Sequence, residues 1–184
     1  MLRQLTASYA TTASAAAPEG TGMVLSIDAA RRRRSHGTAA RDLVRVVVMS
    51  GHALTRAGLR RLLEDDDGLA VVGDAATSAD AAPLVRRTRP DVVLLDADRG
   101  ELDLAAATRA LGGLAPVLLL ASSVAEDLLL AALQAGVTGV LPKDSRPAEL
   151  ASAVRTLAAG GALLPPHTAR RLITELVNAT SNID

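Results

Sequence analysis

The sequence predicts an α/β fold: a (βα)5 doubly wound parallel sheet with one more helix on its C-terminal side. Three observations point to it. Five short apolar runs recur along the chain: Val44 to Met49, Leu69 to Val72, Val92 to Leu95, Val117 to Leu120 and Gly139 to Leu141. The first, third and fourth are almost continuously apolar rather than alternating, as strands covered on both faces are. Between the runs lie segments of helical spacing, and right-handed crossovers distribute such helices over both sides of a parallel sheet.

In chain order, Leu54, Gly58, Leu59, Leu62 and Leu63 share one face of a first helix, which the turn Asp65-Asp66-Asp67-Gly68 ends. The Ala-rich segment Ser78 to Arg87 follows Thr77, a residue type that caps helix N-termini. Asp91 opens the third strand and is expected to be a turn residue. Leu104, Ala107 and Leu111 mark a third helix over Asp103 to Leu111. A fourth runs from Ala125 to Gln134 and stops at Ala135-Gly136, a C-cap signal. Leu150, Val154, Leu157 and Ala158 stripe a fifth helix, with Pro147 in its first turn and Asp144 and Ser145 as expected caps. After Pro165-Pro166, a further stripe of Ala169, Leu172, Ile173, Leu176 and Val177 repeats at i, i+3, i+4, i+7 and i+8.

Composition bounds the chemistry. Of 184 residues, 49% are hydrophobic, enough for a core, and that core must be aliphatic because Tyr9 is the sole aromatic. Without aromatics there is no platform for stacking bases. Zero cysteines exclude disulfides and thiolate chemistry. A net charge of zero gives no global attraction to nucleic acid or membrane. No apolar run approaches the ~18 residues of a membrane span, so no membrane partner is expected. Residues 1–41 are read as a disordered Ala/Ser/Arg-rich tail carrying Arg31 to Arg34, 42–160 as the folded domain, and 161–184 as a linker helix and C-terminal tail. His36 and His167 are isolated, and no Ser/His/Asp set is readable, so an enzyme is not expected.

In an open doubly wound sheet, chemistry gathers outside the carboxyl ends of the strands. Three ends matter: Met49-Ser50-Gly51-His52, Leu95-Asp96-Ala97-Asp98 and Leu141-Pro142-Lys143. Lys143 is the only lysine among 20 Lys plus Arg residues. A lone compact ammonium in a chain that otherwise uses the planar guanidinium marks a position that needs a point charge. Asp96 is its expected partner across the mouth of the sheet, and Lys143 is the only cation expected there. For His52, just ahead of the first helix, packing or hydrogen bonding outweighs metal ligation.

Several phrases, in order, resemble the receiver domain of bacterial response regulators, closest to the NarL/FixJ subgroup that carries a LuxR-type helix-turn-helix. They are Arg45 to Leu63, Val71 to Thr77, Arg89 to Asp96, Ala131 to Asp144 and Ala158 to Pro166. The resemblance implies a flavodoxin-like receiver fold, a cytoplasmic role in two-component phosphorelay signalling and transcription regulation, Asp96 at the phosphoacceptor position and Lys143 at the phosphate-contact position. Other parts of the family pattern are replaced. Two acids that hold Mg²⁺ are here Ser50 and Gly51, the Thr/Ser switch position is Ala121 with Ser122 beside it, and the aromatic switch position is Val140. Arg99-Gly100-Glu101 follows the acceptor segment in place of the usual Met-Pro-Gly.

Mg²⁺ favours octahedral oxygen donors, commonly one or two carboxylates with waters and phosphate oxygens. Phosphoryl transfer depends on the metal for positioning and for neutralising charge. The reading is therefore an atypical receiver that works by protein–protein contact, with weak or absent Mg²⁺ binding and no cofactor. Self-association or a partner protein would use helical faces. DNA contact would need a helix-turn-helix that these 184 residues do not contain. The alternatives are a small-molecule-sensing pseudo-receiver on the same scaffold and a still-active Asp96 phosphoacceptor.

Overall fold

Side chains on successive strand residues point to opposite faces, and the apolar runs use that alternation to fill two cores at once. The computed structural model describes residues 23–26, 43–97, 104–122 and 131–164. The strands are β1 (Met23–Ser26), β2 (Val44–Met49), β3 (Leu69–Ala75), β4 (Val92–Ala97), β5 (Val117–Ala121), β6 (Val137–Pro142) and β7 (Gly161–Leu164). The helices are α1 (Ala53–Glu64), α2 (Ser78–Thr88), α3 (Leu104–Gly112), a helical segment α4 over 131–134, and α5 (Pro147–Ala158). The sheet order is β1-β7-β6-β5-β4-β2-β3. From β3 to β6 all pairings are parallel. The five expected strands form this centre, with β3 and β6 each longer than their apolar runs.

On one side Val47, Met49, Val93, Leu95, Val117 and Leu119 pack with Ala81 and Val85 of α2 and Ala107 and Leu111 of α3. On the other, Val46, Val48, Val92, Leu94, Leu118 and Leu120 pack with Leu59 and Leu63 of α1 and Leu150, Val154 and Leu157 of α5. Strand β6 passes close under α5 at Gly139, where a Cβ would stand 2.9 Å from a methyl of Leu157 and 3.3 Å from one of Leu118.

Two strands were not expected. β7 continues from α5 and lies parallel to β6, with Leu163 opposite Gly139. β1 falls inside the segment read as a tail and pairs antiparallel with β7, from Met23 opposite Leu164 to Ser26 opposite Gly161. Four residues are too short a run to show a period in sequence. The Arg31–Arg34 run, the tail residues 1–22 and 27–41, and the helical stripe from Ala169 to Val177 lie outside the described residues. Most of the fourth expected helix does too.

Local chemistry departs from the reading at two helices. Leu54 is 89% exposed, not packed with Leu59 and Leu63. At 3.6 residues per turn it sits about 140° round the helix from Leu59. Helix α5 is capped by Arg146 rather than by Asp144 or Ser145, because Glu149 takes the Arg146 N–H at 2.8 Å and its guanidinium at 3.0 Å. Thr77 caps α2 as expected, its hydroxyl oxygen accepting from the Asp80 N–H. Gly136, with φ of 112°, makes the left-handed turn before β6.

Asp91 is more than a turn residue: its carboxylate accepts the Arg45 N–H at 2.8 Å while its own N–H donates to the Arg45 carbonyl, clasping β2 to β4 at the end away from the mouth. Asp66 accepts from the Gly68 N–H and pairs with Arg155 of α5, which together hold its carboxyl below the ordinary carboxylate value.

Helix α2 ends on Arg89 at φ 46°, the left-handed region, with its N–H on the Val85 carbonyl. A Cβ is strained there, and glycine is not. Arg89→Gly is expected to raise stability by about 0.5–1 kcal/mol in urea unfolding, the relief of strain exceeding glycine's larger unfolded-state entropy. Among the described residues, no helix is long and apolar enough to cross a membrane.

Candidate functional site

The same alternation decides what reaches the mouth. Val46 and Val48 face α1 and α5, so Ser50, next in phase beyond β2, faces them too. Val92 and Leu94 do likewise in β4, which brings Asp96 to that face. Met49 is the register partner of Leu95, so Ser50 and Asp96 end neighbouring strands side by side. The Ser50 hydroxyl donates to Asp96 Oδ2 at 2.7 Å. Lys143 follows β6, and its N–H donates to the Ala121 carbonyl at 3.2 Å, so the end of β5 fixes its backbone. From there Nζ stands 2.5 Å from Asp96 Oδ1.

Asp96 and Lys143 therefore meet as the strand ends implied. The Asp96 side chain is 2% exposed and that of Lys143 22%. Oδ1 has the ammonium's charge beside it but no donor aligned on it. Its stabilisation is accordingly coulombic rather than directional. Ser50 is fully buried and every polar group it owns is used. Its N–H donates to the Ala75 carbonyl, its Oγ accepts the His52 N–H at 3.2 Å, and its carbonyl accepts from Arg56 Nη1 at 2.6 Å.

Arg56, on the first turn of α1, is the residue that sequence reasoning missed, and it corrects the expectation of one cation at the mouth. Its Nε also reaches Asp74 Oδ2 at 3.2 Å, while Arg60 takes Asp74 Oδ1 at 2.5 Å. The Arg60 hydrogen bond, helped by Arg56, holds the Asp74 carboxyl below its ordinary value. The signal available in sequence was position alone: an arginine four residues after a strand-end His, with an acid near the end of the next strand.

The other named positions lie around this group without joining it. Gly51 is exposed in the loop after Ser50. Ala121 and Val140 are buried, and both belong to the core on the α2 and α3 side, the opposite face from Asp96. Ser122 is exposed. Asp98 and Glu101 lie outside the described residues.

These donors do not fit Mg²⁺. Among the described residues no three of His, Cys, Asp and Glu gather as a metal site. Asp96 offers one carboxylate, with Oδ2 accepting from Ser50 and Oδ1 beside an ammonium, whereas octahedral Mg²⁺ calls for free anionic oxygen.

A family model for the response regulator receiver domain matches residues 46–155. The chain is 35% identical over 133 residues to the response regulator GacA of Pseudomonas viridiflava, covering 71% of this chain and 62% of that protein. It is 32% identical over 133 residues to the response regulator UvrY of Escherichia coli (strain K12), covering 71% and 61% respectively. The chain thus spans about three fifths of the length of these curated relatives. A crystal structure of a LuxR-family two-component response regulator from Aurantimonas sp. SI85-9A1 matches with a TM-score of 0.62 and 34% identity, over 73% of this chain and 99% of that one. The signal receiver domain of NarL from Mycobacterium tuberculosis gives 0.60 and 36%, over 65% and 98%.

Proposed function

Since the chain belongs to the response regulator receiver domain family, a non-enzymatic signalling family, we propose that it is an atypical member, working in the cytoplasm without Mg²⁺-dependent phosphorylation. It would transmit by contact with a partner protein or a second copy through its helical faces. Control of transcription would pass through a DNA-binding helix-turn-helix outside these residues. Asp96 holds the phosphoacceptor position and Lys143 the phosphate-contact position. Ser50 and Gly51 replace the acidic pair, and Ala121 and Val140 replace the switch residues.

One observation carries this reading: both oxygens of Asp96 are already engaged, one by a buried serine hydroxyl and one by an ammonium. A carboxylate that donates density to a hydroxyl and a cation is a weaker nucleophile than a bare one. The neighbouring groups also offer a phosphoryl dianion only the Lys143 ammonium and an Arg56 guanidinium already held by the Ser50 carbonyl and Asp74, where a divalent ion would share the charge. Val140 has neither a ring nor a hydroxyl to reorient, and it faces away from Asp96.

The test is incubation of the chain with acetyl phosphate and Mg²⁺, followed by intact mass. The unmodified mass is the expected result, and stoichiometric phosphorylation overturns the proposal. Ser50→Asp with Gly51→Asp is expected to bring measurable Mg²⁺ binding, because it frees Oδ2 and adds two carboxylates.

A further inference from the structure

We propose that Arg56 is a positioning residue that holds the Ser50 hydroxyl on Asp96, and so keeps the carboxylate capped. The inference rests on the reading of the site as a standing, capped ion pair. Three residues, Ser50 to His52, join β2 to α1. Gly51 in the middle of them is exposed and has no side chain to anchor the loop. The bonds of Ser50 help to set the loop's place, beside the Arg56 N–H that donates to the His52 carbonyl at 3.0 Å.

Of those bonds, the N–H to the Ala75 carbonyl continues the sheet, and the His52 N–H holds the hydroxyl oxygen from the loop side. The carbonyl is the opposite handle, and Arg56 grips it at 2.6 Å. With both handles held, the Cα–Cβ bond of Ser50 is aimed and its hydroxyl lies 2.7 Å from Asp96.

The grip needs arginine. One edge of the guanidinium serves the Ser50 carbonyl, and Nε serves Asp74, which Arg60 pins from its other oxygen. A planar fork with fixed donors bridges two acceptors that a point-like ammonium on a flexible stem does not hold in register. The Arg56 side chain is 18% exposed and that of Asp74 34%, so the grip is screened from water more than its anchor is. Asp96 is thereby tied, through Ser50 and Arg56, to the end of β3.

The full chain with ¹³C-labelled Asp carboxyls, its Asp96 signal assigned by its loss in Asp96→Asn, tests this by NMR at fixed pH. Arg56→Met keeps the aliphatic stem and removes the fork. It is expected to move the Asp96 signal in the direction that Ser50→Ala moves it, with Arg56→Lys in between. In the Ser50→Ala background, Arg56→Met is expected to add no further shift, because Arg56 acts through Ser50.

An unmoved Asp96 signal in folded Arg56→Met overturns the proposal. So does an equal shift in both backgrounds, which would mean that the guanidinium acts on Asp96 by charge alone or by a general loosening. If Arg56→Met does not fold, Asp74→Asn removes the anchor instead. A smaller shift of the same sign, absent in the Ser50→Ala background, supports the proposal, and no shift overturns it. Phosphorylation of the unaltered chain reads the proposed function separately, so the two failures are distinguishable.

Discussion

Lys143→Ala is expected to cost about 3–5 kcal/mol in urea unfolding, and Asp96→Ala about 1–3 kcal/mol. The asymmetry follows from burial. Without the ammonium, a carboxylate that is 2% exposed keeps only the Ser50 hydroxyl. An uncompensated buried charge is the costly half of a broken pair. Without Asp96, the lysine, already 22% exposed, swings its charge to water and leaves only its lost contacts. The double mutant is expected to recover part of the combined loss, since neither charge is then left alone. A coupling energy near zero in this cycle would show that the 2.5 Å contact does not tie the two side chains energetically.

Leu118→Ala is expected to lower stability by about 2–5 kcal/mol, because it empties a fully buried site between β5 and α5. Gly139→Ala alone is expected to cost about 1–3 kcal/mol, since the new methyl would meet Leu157 at 2.9 Å and Leu118 at 3.3 Å. The two changes share one space. Leu157 has room to retreat once Leu118 is cut back, so the double mutant is expected to lose clearly less than the sum. Additive losses would mean that the crowding at Gly139 is relieved elsewhere.

The centre of the sheet was legible because its strands are apolar on both faces and its helices striped. The same alternation that fills the two cores also aimed Ser50 and Asp96, and a reader counting in twos from Val46 and Val92 arrives at both. Lys143 stood out through rarity, as one lysine against nineteen arginines. Arg56 failed to stand out for the converse reason: its residue type carries no signal in a chain that uses arginine everywhere, and only geometry shows which arginine faces a buried carbonyl. The cap at Arg146 was hidden because the acid that matters, Glu149, sits inside the helix rather than before it. β1 and β7 were hidden because each is four residues long. Their pairing is a property of where the two segments meet at the edge of the sheet, not of either segment's composition.

The pairing of Met23 with Leu164 has a mechanical consequence. Met23 opens β1 and Leu164 closes β7 on the same rung of their ladder. Tension between whatever precedes Met23 and whatever follows Leu164 would open the β1–β7 ladder rung by rung, from that end, as a zip opens. Bonds broken singly yield at low force, whereas strands dragged along their length must break all of theirs together. The outer pair would therefore act as a weak link in series with the domain. It would open before the load reached the parallel centre, with Ser50, Asp96 and Lys143 at its mouth.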